Sequence, residues 1–216
     1  MIKFHFLQKN KEKIDGEEIV YHGSMKPDMK EIAPNKCKHD KAYVYASENI
    51  ALCVIFGLKR KGENIDFGIS RFGKTFIREF YPGGFEDRFK GRACYLYKLN
   101  KKDFSYETEY IEIVSTKPVK VVDCIKIEDA SEYLLQLEKQ KQLKIYRYEK
   151  MSKKDKREVD DILRKRIKEY LNLKDLSKKE YESLDEKEKL SYTIKKERKD
   201  FCLDKFPEIV KEIKEE

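Results

Sequence analysis

Short runs rich in Val, Ile and Tyr, interrupted by Gly and Pro, fill the chain from Glu18 to about Leu137 and predict strands with only one or two helices among them. The runs fall at Glu18–His22, Ala42–Ser47, Arg92–Leu99, Tyr106–Val114 and Val119–Ile125. Between the second and third, Glu48–Leu58 reads as a buried helix. Its interior is almost wholly apolar, Ser47 is its candidate N-cap, and Gly57 stands near its C-terminal end. Beyond Leu137 the texture changes to Lys/Glu-rich sequence with a 3.6-residue period. Val159, Ile162, Leu163, Ile167, Tyr170 and Leu171 fall on one helix face. Ser177-Lys178-Lys179-Glu180 has capping-box spacing, and Phe201–Ile213 carries a further stripe around Pro207. The expected fold class is therefore α+β, with a domain at 1–137 and a charged helical appendage at 138–216. The narrow apolar face of that appendage either packs on its own domain or receives a partner or an inhibitor.

Composition sharpens this division. Charged residues make up 42% of the 216 positions, against about 25% in a typical protein, and the net charge is +8. The 39% hydrophobic and 12% aromatic content nevertheless excludes full disorder. Residues 59–92 hold nine basic and five acidic residues, with seven aromatics interleaved. Glycines at 62, 68, 73, 83 and 84 predict a loop-rich insertion with at most one short strand or helix. It is either a functional basic and aromatic surface or a small aromatic cluster under a loop. Residues 138–216 carry 25 basic and 20 acidic residues, which leaves the rest of the chain near neutral. The longest apolar run, Ile50–Gly57, is far short of the roughly 20 residues of a spanning helix, so no membrane partner is expected. Met1–Lys13 alternates apolar and charged residues, unlike an export signal. Five scattered cysteines with no C-x-x-C pair predict neither a disulfide framework nor a thiolate metal site. The expectation is a reduced, cytoplasmic, metal-free protein.

Three elements carry candidate chemistry. His22 ends a strand and is followed by Gly23 and Ser24, where a missing side chain lets a planar amide approach the backbone. Tyr45 and Phe56 flank a strand-to-helix turn and could either clamp a flat ring or serve as core aromatics. In Tyr106–Val114, period 2 puts Glu107, Glu109, Ile111 and Ile113 on one face and Thr108, Tyr110, Glu112 and Val114 on the other. Glu109, in line with the isoleucines, lies either at an exposed edge or in a cleft. In a cleft it could hold a ribose hydroxyl and stabilise positive charge on the sugar carbon.

In order and spacing, His22-Gly23-Ser24, Tyr45 with Phe56, and Glu109-Tyr110-Ile111 resemble the motifs of the His-Tyr-Glu branch of the ADP-ribosyltransferase fold. That branch includes the poly(ADP-ribose) polymerases and the diphtheria-toxin-like enzymes. The resemblance covers roughly residues 18–125 and implies a split antiparallel sheet with NAD as substrate. It implies that His22 hydrogen-bonds the adenosine ribose, that the Gly23 backbone grips the carboxamide, that Tyr45 and Phe56 stack on nicotinamide, and that Ser24 belongs to the NAD-binding set. Glu109 would be the catalytic carboxylate, with Glu107 and Glu112 in reserve. Phe56 stands where many members have a second Tyr, and Cys53 where the polymerases have a carboxamide-binding Ser. The implied activity is mono-ADP-ribosyl transfer to a protein or nucleic-acid acceptor, as in a toxin or anti-phage effector. Arg71, Arg78, Arg88 and Arg92 are then candidate target contacts. Two other readings stay open: an RNA 2′-phosphotransferase-like enzyme using those arginines, and a non-catalytic nucleic-acid-binding protein.

Overall fold

The computed structural model describes residues 12–35, 41–60, 62–71, 73–107 and 112–216. The chain begins with β1 (Lys13–Ile14), β2 (Glu17–Ser24), β3 (Glu31–Ile32), β4 (Val44–Ser47) and α1 (Ile50–Gly57). Then come β5 (Ile65–Ile69), β6 (Thr75–Glu79), α2 (Gly84–Phe89), β7 (Cys94–Asn100), β8 (Tyr106–Glu107), β9 (Glu112–Ser115) and β10 (Val119–Ile127). The remainder is α3 (Ala130–Lys139), β11 (Leu143–Tyr146), α4 (Lys153–Leu171), α5 (Lys178–Glu182), α6 (Glu186–Lys205) and α7 (Pro207–Glu215). The architecture is α+β. Eight strands form a curled antiparallel half-barrel in the order β3-β10-β7-β2-β4-β9-β8, with β1 on β2, and three more form a sheet in the order β11-β6-β5. Among the described residues no helix is long and apolar enough to cross a membrane.

Contacts divide the chain into two compact units. The first comprises the described residues through Lys59, with Phe67–Ile77 and Phe89–Ile145; the second comprises Arg60–Asp66, Arg78–Arg88 and Tyr146–Glu216. The division therefore falls at Tyr146 rather than at residue 138, and much of the 59–92 insertion belongs with the C-terminal helices.

In the first unit, strand alternation sorts the side chains. Val20, Val44, Ala46, Tyr97, Leu99 and Ile113 meet in one buried cluster. The alternate positions Tyr21, Ser47 and Glu112 form a row across three strands, because Tyr21 pairs with Ser47 and Ser47 with Glu112. β2 pairs with β7 from Ile19 through Ser24, whereas its registered pairing with β4 is Tyr21 against Ser47. The sheet thus opens beside His22 and Gly23. Helix α1 covers this opening. It carries no charged residue and buries Ala51 through Ile55 and Gly57, as an apolar helix must when it is enclosed on most sides. Its N-cap is Asn49, whose side chain accepts the Leu52 N–H at 3.1 Å. The expected cap, Ser47, instead accepts the Asn49 N–H with its hydroxyl. Both are capping residue types two positions apart, so composition alone did not separate them.

The second unit packs the α4 stripe Val159, Leu163, Ile167 and Tyr170 against Cys202, Phe206 and Val210. Phe80, Tyr81 and Met151 complete that core. The capping box at Ser177 and Glu180 starts α5 as expected, and a second one at Asp185 and Glu188 starts α6. At the centre lies Glu63, fully buried. It accepts hydrogen bonds from Tyr170 Oη at 2.7 Å, from Arg166 at 3.0 Å and from Arg60, with Arg198 at 3.9 Å. Asp66 binds Arg166 at 2.8 Å and Arg78 at 2.7 Å. Buried Glu79 accepts the Phe85 and Tyr148 N–H groups and binds Arg147 at 3.0 Å. The insertion is thus more ordered than its glycines suggest, with two strands and a helix in place of one short element. Many of its charges are internal ion pairs.

Candidate active site

The opening between β2 and β4 is a cavity of about 370 Å³, at the small end of the ~300–1,000 Å³ usual for ligand pockets. Tyr21, His22 and Gly23 of β2 form one wall. Tyr45, Ala46 and Ser47 of β4 form another, α1 adds Leu52, Cys53 and Phe56, and β9 adds Glu112. Sequence motifs that lie far apart therefore meet in one place: His22, Gly23, Tyr45, Cys53 and Phe56 all line the cavity.

His22 sits where the ladder is lost. Its Nδ1 lies 2.7 Å from the Tyr45 carbonyl oxygen. A carbonyl only accepts, so Nδ1 carries the proton and the neutral ring keeps Nε2 as an acceptor. Burial pushes the imidazole below its ordinary value of 6.5, and the Tyr45 bond opposes this only in part. The neutral ring is therefore favoured by folding. Its contribution is complete above about pH 6.5 and is lost as pH falls through the lower, folded-state value. A ligand that donates a hydroxyl to Nε2 should bind with constant affinity down through pH 6.5 and more weakly only as pH falls through the lower, folded-state value. Calorimetric titrations between about pH 5 and pH 8 should show this slope in the wild type and its loss in His22→Gln.

The aromatic pair is asymmetric. Tyr45 is half-buried, with the Tyr43 ring edge-on at 5.9 Å. Phe56 is 59% exposed and packs against Phe67 in a T-shaped pair at 5.3 Å, so much of the ring stands at the rim. Phe56→Ala should weaken binding of a flat aromatic ligand about 10-fold, in line with the ~1–3 kcal/mol of ring–base stacking. Because so much of the ring is exposed, its urea unfolding midpoint should barely move.

Gly23 lines the cavity, and its missing side chain also has a structural duty. A Cβ there would lie 1.8 Å from the Cys53 carbonyl oxygen, and one on Gly57 would lie 2.8 Å from the Gly23 carbonyl carbon. The two glycines let strand and helix touch backbone to backbone. Cys53 donates its thiol hydrogen to the Tyr21 carbonyl at 3.1 Å, and burial pushes the thiol up to about 12, so it stays protonated. The Tyr21 phenol is likewise raised, by burial and by its bond to the Glu12 carboxylate.

The other expected residues are placed differently. Glu109 lies outside the described residues, and Glu107 is placed by its backbone on β8, opposite Ile113. Among the described residues the carboxylate that reaches the cavity is Glu112. It lies on the strand face opposite Ile113, because the isoleucine face turns to the core. Ser24 is at the end of β2, where its hydroxyl accepts the Lys26 N–H at 3.1 Å. Of the arginines proposed to contact a target, Arg78 is held by Asp66 and Glu158 and Arg88 is buried, which corrects their reading as surface contacts. Arg92 donates to the Lys59 carbonyl at 2.7 Å, and Arg71 is exposed. Phe80, Tyr81, Phe85 and Phe89 are buried, so these rings of the insertion offer no face for nucleobases. Tyr21 and Ser47 also line the cavity; their alternation with Val20 and Ala46 was the sequence signal for that face. Among the described residues no group of three or more His, Cys, Asp or Glu could hold a metal ion.

Among the described residues the cavity wall carries one carboxylate, no Lys and no Arg. Such a lining suits a flat, cationic, amide-bearing ring better than an anion. No protein-family model matches the chain, and no curated protein or solved structure matches it significantly.

Proposed function

We propose that the protein is an NAD-consuming mono-ADP-ribosyltransferase that transfers ADP-ribose to a protein or nucleic-acid acceptor. The observation that carries this reading is the meeting of Glu112 with the Tyr45 and Phe56 rings in a cavity lined, among the described residues, by no Lys or Arg. The positively charged nicotinamide ring lies between the two aromatics, with its carboxamide on the Gly23 backbone. Neutral His22 accepts a ribose hydroxyl at Nε2. Glu112 stands at the nicotinamide ribose.

In the reaction, the bond between ribose C1′ and the ring nitrogen breaks, and its electron pair leaves with neutral nicotinamide. Positive charge passes to the sugar. Glu112 binds that charge more strongly in the oxocarbenium-like transition state than in the ground state, where the charge sits on the ring, and this difference is catalysis. The acceptor attacks C1′ and gives up its proton.

The test uses NAD labelled separately in the nicotinamide and adenine halves, incubated with the protein and cell lysate. The reading requires released nicotinamide together with adenine label on macromolecules. If the protein neither binds NAD by calorimetry nor releases nicotinamide, the reading is wrong.

A further inference from the structure

The helices of the second unit enclose a cavity of their own. The ion pairs Arg164–Glu212 and Lys168–Glu216 advance by four residues on both partners, so α4 and α7 run parallel and end together. Where they end lies an open cavity of about 780 Å³, with Leu171 of α4, Leu203 of α6 and Ile213 of α7 in its lining. Leu171 and Ile213 pack against the core that holds Leu163 and Ile167, so this apolar floor is anchored. Leu203 is 37% exposed. The polar part of the lining is mainly basic: Lys168, Lys199 and Lys214 stand against Glu216 as its carboxylate among the described residues. Lys168 binds that carboxylate. Lys199 answers the carbonyl end of α4, donating to the Leu173 carbonyl at 3.0 Å, with Asp175 at 3.4 Å. Lys214 is exposed and has no hydrogen bond or ion pair among the described residues. An anchored apolar floor with a spare cation at its edge is complementary to an apolar chain that ends in an anion. Size decides between a small molecule and a protein. The volume falls within the ~300–1,000 Å³ of small-molecule sites, whereas a protein partner engages about 20–30 residues a side and eight described residues line this cavity.

We propose that this groove binds an alkyl carboxylate, a fatty-acid-like anion. Its chain lies on Leu171, Leu203 and Ile213, and its carboxylate pairs with Lys214. The site shares no lining residue with the cavity beside His22, so it stands or falls apart from the NAD reading.

The experiment titrates the full chain by calorimetry with octanoate, decanoate and dodecanoate below their micelle concentrations, and with decanol and decyltrimethylammonium as neutral and cationic counterparts. Affinity should rise by about 2–4-fold per added methylene, the upper figure being that of a fully buried one. Lys214→Gln should weaken decanoate about 3-fold and Lys214→Glu about 10-fold, the scale of an exposed ion pair lost and then reversed, with decanol unchanged. Added salt should weaken decanoate and not decanol. Leu203→Gln should weaken all the chain-bearing ligands about 5-fold. Phe56→Ala, in the other cavity, should leave them as they are. Because Lys214 is exposed, its variants keep the fold, and they carry the test if Leu203→Gln lowers the urea midpoint. Affinity that does not grow with chain length overturns the proposal, as does decyltrimethylammonium binding as tightly as decanoate. Decanoate binding that survives Lys214→Glu and is lost in Phe56→Ala also overturns it, by moving the chain to the first cavity. Binding of a poly-glutamate peptide with no binding of any alkyl carboxylate overturns it in favour of a protein partner.

Discussion

Glu112→Gln should lower the rate of nicotinamide release from NAD by about 10²–10³, while NAD affinity stays within a factor of about three. Glutamine fills the same space and can still hold a ribose hydroxyl. It lacks the charge that opposes the cationic sugar, so the loss should appear in kcat and not in KM. Glu112 is half-buried on a strand whose neighbour Ile113 is anchored in the core, so the substitution should leave the fold intact. Stopped assays on Glu107→Gln, Glu109→Gln and Glu112→Gln, each paired with a calorimetric NAD titration, decide the matter. Full activity in Glu112→Gln with loss in Glu109→Gln would move the catalytic role to Glu109.

Gly23→Ala should destabilise the first unit by more than about 3 kcal/mol, the upper end of ordinary overpacking. The new methyl would stand 1.8 Å from the Cys53 carbonyl oxygen, so backbone would meet backbone, and no rotamer change relieves that. The helix cannot simply retreat, because Leu52 through Ile55 are buried. Any shift also disturbs the Cys53 thiol bond to Tyr21 and the alignment of Phe56 with Tyr45. The expected result is a large drop in urea midpoint by far-UV circular dichroism, with NAD binding lost. A midpoint equal to that of wild type would mean that strand and helix do not cross so closely. Phe56→Ala, expected to weaken binding without moving the midpoint, is the contrasting case in the same cavity.

The strands that build the half-barrel were readable because they follow simple alternation: β2, β4, β7 and β10 all lie within or overlap the Val- and Ile-rich runs. Helix α1 was readable because eight uncharged residues between two caps have little alternative to burial. The insertion was misread for an equally physical reason. Glu63, Asp66, Glu79 and Arg88 count as solvent-seeking in any local window, yet all four are buried. Three of them owe this to partners far away in sequence, such as Arg166, Tyr170 and Arg147. The carboxylate was ambiguous because a strand with Glu on both faces does not reveal which face opens on a cavity. The core cluster around Ile113 answers that for Glu112.

The burial of Glu63 also orders events in time. Tyr170, which donates to it, lies 107 positions later in the chain. At about 5–20 residues per second, a nascent chain carries Glu63 for roughly 5–20 s before that partner is made. Arg198 comes later still. Until then the carboxylate has only Arg60 as a partner, and burying a charge so sparsely paired is costly. Residues 60–66 and 78–88 should therefore remain open during synthesis, and the second unit should close only when its last helices arrive. Such a protein would finish folding from its C-terminal end, with the earliest-made strands of that unit among the last parts to become dry.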